Sequence, residues 1–309
     1  MSVEPIDDES PFHRGEREMQ VRTGARDKIE SIGRRVIRDF MPDQHREFFA
    51  RLPFIVIGAL DSTGHPCATM IAGRPGFMFS PDPRRLRIDA RLPPADPLSS
   101  ALHVGADVGL LGIEFHTRRR NRMNGAVIEL DARGFTVEVA QSFGNCPQYI
   151  NVRDYALIEN QEHESAAAER ISEQLDGTAI ELVRSADTFF IATHYREPER
   201  RRWNGADVSH RGGTSGFVRI DDARTLTWPD YRGNFLFNTL GNLLLNPRAG
   251  LLFADFGSGT LLNVFGRTEI IWDGAAVRAV AGAQRLVRFH VERVALRRQA
   301  LPLRWAARA

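Results

Sequence analysis

The chain alternates between short apolar runs of β type and glycine-bearing turns. "FIVIGAL", "VGLLGIEF", "AVIEL" and "FTVEVA" are continuously apolar or alternate residue by residue, and "DSTG" and "DARG" punctuate them. Helical spacing is rarer. "MPDQHREFFARL" predicts a short amphipathic helix, and "NFLFNTLGNLLLN", from Asn234 to Asn246, predicts another that Pro247 stops. Residues up to roughly Ala25 read as loosely ordered. Between the halves, "RDYALIENQEHESAAAERISEQLDG" is rich in Glu and Ala and reads as a connecting helix with flanking loops.

The same order of elements occurs twice. Phe54 at the head of "FIVIGAL" is answered by Phe189 in "FFIATH", and Phe77 closing "GRPGF" by Phe217 closing "GGTSGF". Val108 is answered by Ala249 and Gly125 by Gly266. Short strands with one intervening helix in each half suggest two small closed barrels, and Val287, Phe289 and Val291 stand at strand spacing where the second would close. The division expected is an N-terminal extension over 1–40, a first barrel over 41–155, a helical connector over 156–185 and a second barrel over 186–309.

Composition narrows the function classes. The 309 residues suffice for two cores, 42% are hydrophobic, and no apolar run approaches the roughly 20 residues of a membrane span. An acidic, polar start and two distant cysteines, Cys67 and Cys146, fit a cytoplasmic protein. The net charge of +2 gives no nucleic-acid signal, and the basic runs "HTRRRNR" and "REPERRR" read as solvated faces. Lys28 is the only lysine, which argues against Schiff-base chemistry. The nine histidines show no metal spacing, so no metal is expected.

The sharpest chemical signal is "ADVSHRGGTSGFVRI", from Ala206 to Ile220, where glycines follow Ser, His and Arg. Such a stretch can cradle a phosphate. It lacks the lysine of a Walker loop, and it leads from strand to strand, unlike a dinucleotide fingerprint.

In order, "FFIAT", this stretch, "RTLTWPDYRGNFLFNTLGNLLLNPRAGLLF" and "LLNVFGRTEI" resemble the pyridoxamine 5'-phosphate oxidase-like FMN-binding split barrels, over about Met41 to Trp305. "QSFGNCPQYI" is similar to a segment that some members carry after the barrel. The resemblance implies a mainly β fold of tandem split β-barrels with short helices, binding FMN between barrels. It implies an FMN-dependent oxidoreductase that transfers hydride at flavin N5, with a small-molecule substrate or NAD(P)H as donor. Cofactor contacts are implied at Asp207, Val208, Ser209, His210 and Arg211, and at Arg232, Asn234, Asn238 and Thr239 around the start of the barrel helix. Many oxidase members carry basic residues where Asn238 and Thr239 stand, which leaves Arg211 and Arg232 to meet the phosphate. Arg120 and Arg122 either belong to a solvated hairpin or reach across the barrel interface. Gln141, Ser142 and Asn145 lie either in a plain loop or over the flavin ring, and Cys146 is either inert or near the cofactor. Trp305 is either a packed terminus or a cover for the ring.

The first-half loops "GRPGF" and "DARLPPADP" lack the Ser-His-Arg triplet, so one flavin per chain is expected, with the first barrel as partner wall. No catalytic residue is assigned. A flavin-binding electron carrier without turnover, a deazaflavin- or haem-binding barrel, and a structural protein are the alternatives. A homodimer built on the internal pair is left open.

Overall fold

Continuously apolar runs become central strands. The computed structural model describes residues 10–158, 170–199 and 201–308. The first half contains β1 (Phe54–Leu60), β2 (Pro66–Ala72), β3 (Met78–Asp82), β4 (Arg85–Ile88), β5 (Asp107–Glu114), β6 (Arg119–Leu130) and β7 (Phe135–Gly144). Then come β8 (Arg153–Leu157) and β9 (Arg170–Ser172). The second half contains β10 (Thr188–Tyr195), β11 (Gly205–Gly212), β12 (Arg219–Asp222), β13 (Thr225–Tyr231), β14 (Arg248–Asp255), β15 (Thr260–Ile271), β16 (Ala283–Arg297) and β17 (Leu303–Ala307). Helices α1 (Arg14–Arg22), α2 (Arg26–Val36) and α3 (Asp43–Arg51) precede the first sheet, α4 (Gly177–Ser185) the second, and α5 (Asn238–Leu245) lies between β13 and β14.

The two sheets share one topology. The first runs β2-β1-β5-β6-β7-β4-β3 and the second β11-β10-β14-β15-β16-β13-β12, all antiparallel, with β9 added on β16. Every strand of the first sheet, both edges included, sends residues into one core around Ile57, Ile71, Met78, Leu86, Leu110, Met123 and Val137. A sheet whose opposite edges share a core must curl into a barrel, open along the seam between β2 and β3. The second sheet closes likewise around Phe189, Trp228, Leu251 and Phe289. The chain is thus mainly β, with two barrels in tandem.

The barrels pack through a third apolar cluster that joins Phe54, Val56, Met70 and Leu111 to Phe190, Val208 and Leu252. Two equivalent glycines let the backbones meet there. A Cβ on Gly109 would lie 2.8 Å from the Ala206 carbonyl oxygen, and one on Gly250 would lie 2.2 Å from that of Pro66.

The structure corrects several expectations. Val56 faces Leu111 as Phe190 faces Leu252, so Ile55, not Phe54, answers Phe189 and the repeat shifts by one residue. That shift matters because it exchanges the two faces of a strand, and Phe54 and Phe190 indeed share the inter-barrel cluster while Phe189 lies in a barrel core. The N-terminus is not loose from Ser10 onward: Phe12 and Met19 are fully buried, and His13 and Glu16 close a capping box on α1. The expected connecting helix is strand at both described ends, because β8 pairs with β17 and β9 with β16; its centre, 159–169, lies outside the described residues. The barrel helix starts at Asn238 rather than Asn234, since Phe235 and Phe237 have φ of 60° and 63°. Trp305 packs edge-on against Phe54 and Phe256 in the inter-barrel cluster.

Candidate functional site

A cleft of about 120 Å³, partly open to solvent, lies where β6 of the first barrel meets β11, β13 and the start of α5 of the second. Nine of the expected residues line it: Arg120, Arg122, Asn145, Ser209, His210, Arg211, Asn234, Asn238 and Thr239.

Arg122 crosses the barrel interface but is used up in doing so. Its guanidinium pairs with Asp207 at 3.1 Å and donates to Asn238 Oδ1 at 2.6 Å, to the Val208 carbonyl at 3.2 Å and to Ser209 Oγ. Ser209 in turn accepts from Thr239 Oγ1 at 2.8 Å and donates to Asp207 at 3.2 Å. Asn238 donates to buried Glu16 of α1 at 2.6 Å. The network fastens α1, α5, β6 and β11 together.

Arg120, two residues earlier on the same face of β6, carries the unspent charge. Among the described residues no carboxylate pairs with it; burial, then Arg122 and Arg211, push its pKa down to about 10. It donates to His210 Nδ1 at 3.0 Å. Burial and the flanking arginines hold His210 well below the ordinary imidazole range, so the ring is neutral and its proton sits on Nε2. That Nε2–H, Arg120 Nε and Asn145 Oδ1 are buried without a hydrogen-bond partner among the described residues. Arg211 is also pushed below the usual arginine range by burial, offset mainly by Asp230.

Backbone and aromatic groups complete the cleft. The N-cap of α5, Phe237, gives no side-chain cap, which leaves the first-turn N–H groups and the positive end of the helix dipole facing the cleft residues. Tyr149 stacks on Tyr231 at 5.2 Å and donates from its hydroxyl to the Arg232 carbonyl at 3.0 Å, so the segment after β7 straps the mouth. Tyr149, Phe235 and Phe237 all have left-handed φ near 60°, a cost that non-glycine residues bear where surrounding structure imposes it.

Other expected positions lie elsewhere. Gln141 and Ser142 belong to β7 and face the N-terminal segment: Gln141 donates to the Pro11 carbonyl, and Ser142 Oγ meets His45 Nδ1 at 3.0 Å. Val208 points into the inter-barrel cluster, and Asp207 is buried beneath Arg122. Arg232 is exposed and offers the site only its carbonyl. The glycine turn itself holds no anion, since Gly213 and Gly216 donate to the Asp187 and Ala186 carbonyls. Cys146 lines the cleft as a free thiol. Sequence reasoning missed Tyr149, Tyr231, Asp230 and Glu16, whose spacing carries no signal.

The first barrel provides an internal comparison. Ile57 pairs with Thr69 and Leu110 as Ile191 pairs with Ser209 and Leu251, so Thr69, Met70 and Ile71 stand where Ser209, His210 and Arg211 stand. Leu261 and Asn263 likewise replace Arg120 and Arg122. In this twin position the one buried cation, Arg297, is matched by Asp96 at 2.7 Å and by Thr69 at 3.1 Å. Its charge is internally satisfied.

No family model and no curated protein matches the sequence. Solved structures do match. A Clostridium acetobutylicum protein related to general stress protein 26 of B. subtilis, of the pyridoxinephosphate oxidase family, is 15% identical over 42% of this chain and 92% of its own, with a TM-score of 0.31. HupZ of Group A Streptococcus is 17% identical over 39% and 91%, at 0.30. A FAD-binding protein of Mesorhizobium loti is 15% identical over 43% and 99%, at 0.29. Each is covered almost whole by about two-fifths of this chain.

Proposed function

We propose that the cleft binds a flavin through its phosphate, that the flavin is FMN, and that the protein is an FMN-dependent oxidoreductase holding one flavin per chain. The observation that carries this reading is Arg120: a largely buried cation with no carboxylate partner, beside Arg211 and the uncapped start of α5. An uncompensated buried charge is costly, and an anionic ligand relieves it. A phosphate suits both a guanidinium fork and a helix N-terminus.

The remaining residues fit the rest of such a ligand. Tyr149, Tyr231, Phe235 and Phe237 offer flat apolar surface for a ring, while His210 Nε2–H and Asn145 Oδ1 offer one donor and one acceptor. A bound flavin supplies hydride exchange at its N5. The chain's part is to orient the ring, keep water from it under the Tyr149 strap, and present a neutral His210. The twin position, where apolar residues replace Arg120, His210 and Arg211, supports a single site per chain.

Titration with FMN, followed by flavin fluorescence, tests the reading. Arg120→Ala weakens binding by about 1.5–3 kcal/mol if a charge-assisted contact is lost. Equal affinity in the two proteins defeats the assignment.

A further inference from the structure

Asp230, next to last in β13, lines the same cleft, opposite Arg285 of β16. Its Oδ2 lies 3.6 Å from Arg285 Nε, too far for a hydrogen bond, and no described residue donates one to it. Facing it are Arg211 from β11, Arg285 from β16, Tyr149 from the strap with Cys146 nearby, and Tyr231 of its own strand; Arg120 of β6 stands behind Arg211. Asp230 makes its one ion pair among the described residues with Arg285, while Arg211, which it also influences together with Asp207, lines the same cleft.

We propose that Asp230, a carboxylate in the cleft without a hydrogen bond, takes up a proton when a phosphate-bearing anion enters beside it, making anion binding proton-coupled. The inference rests on the flavin-phosphate reading of the cleft and adds a specificity device to it. Two anionic groups crowded into one partly buried cleft disfavour the doubly ionised state, and against an anion of fixed charge such as sulfate the side chain is the group that accepts the proton. Burial already raises the Asp230 pKa, against the pull of Arg211 and Arg285. One proton moves from solvent to an Asp230 carboxylate oxygen, the ligand keeps its dianionic charge, and nothing is oxidised or reduced. By reciprocity, lower pH tightens the site for dianions.

Calorimetry in buffers of different ionisation enthalpy measures the proton count directly. Inorganic sulfate is the first probe, because its charge is fixed across the range, and FMN is the second. The wild-type protein takes up protons on binding either probe, and its sulfate affinity falls as pH rises, by about tenfold per unit in the limit of one full proton. In Asp230→Asn that uptake and that slope disappear, and Asp230→Ser serves where the amide folds poorly. Glu269→Gln, an exposed carboxyl on β15 away from the cleft, retains both. Equal proton counts in wild type and both Asp230 variants overturn this inference alone. Absence of binding of both probes to the wild-type protein overturns the flavin reading and this inference with it.

Discussion

Arg120 and Arg122 stand two residues apart on one strand and carry different loads. Arg122 is consumed by Asp207, Ser209, Asn238 and the Val208 carbonyl, so Arg122→Ala leaves Asp207 buried and unpaired. Urea unfolding should report a loss of about 3–5 kcal/mol. Glu16 adds a pH signature at the same scale. Burial first, and Asp207 next, raise its pKa to about 8, while the unfolded chain keeps a value near 4.5. The folded state therefore holds the extra proton, and the stability that Glu16 contributes is complete below about pH 4.5 and is lost as pH rises through 8. His13 acts oppositely: burial depresses its pKa from 6.5 to about 3, so its contribution is present above 6.5 and lost as pH falls. Between pH 6.5 and 8 the Glu16 slope stands apart from that of His13. Urea midpoints should decline across this window in the wild-type protein and much less in Glu16→Gln; equal declines would remove Glu16 as the cause.

At the scale of elements, α1 is a working part of the site. Gly15 lies so close to α5 that a Cβ there would meet the Gly241 carbonyl oxygen at 2.2 Å, and Glu16 holds Asn238. Deleting residues through Ala25 removes buried Phe12 and Met19 and should lower stability by about 3–6 kcal/mol, read by thermal or urea melts. This helix was hard to read because a histidine caps it and few apolar residues mark its face. The strands were easier, since β1, β5, β10 and β14 are continuous apolar runs buried on both sides. The start of α5 was misplaced because left-handed phenylalanines precede it, a conformation that tertiary packing imposes and composition does not announce. Within the site, Ser209, His210 and Arg211 were legible as a polar triplet ahead of a glycine turn. Gln141 and Ser142 were not separable from Asn145 by sequence, because β7 ends only at Gly144.

For the whole molecule, the repeat explains both the fold and its asymmetry. Gly109 and Gly250 occupy matching places and let each barrel lay a strand against the other's backbone. Gly250→Ala should cost about 1–3 kcal/mol through overpacking against Pro66, measured by denaturant midpoint. Duplicated sheets with a cleft at one position, and at its twin a buried Arg297 paired with Asp96, also imply unequal binding, with the pair acting as one site. The visible absorption spectrum of the purified protein, with FMN added where none is carried, tests this most directly. One equivalent of flavin per chain, seen as a band near about 450 nm and requiring more added FMN to saturate in Arg120→Ala, is the expected result. A colourless protein that takes up no added FMN, or one that binds two equivalents, would contradict it.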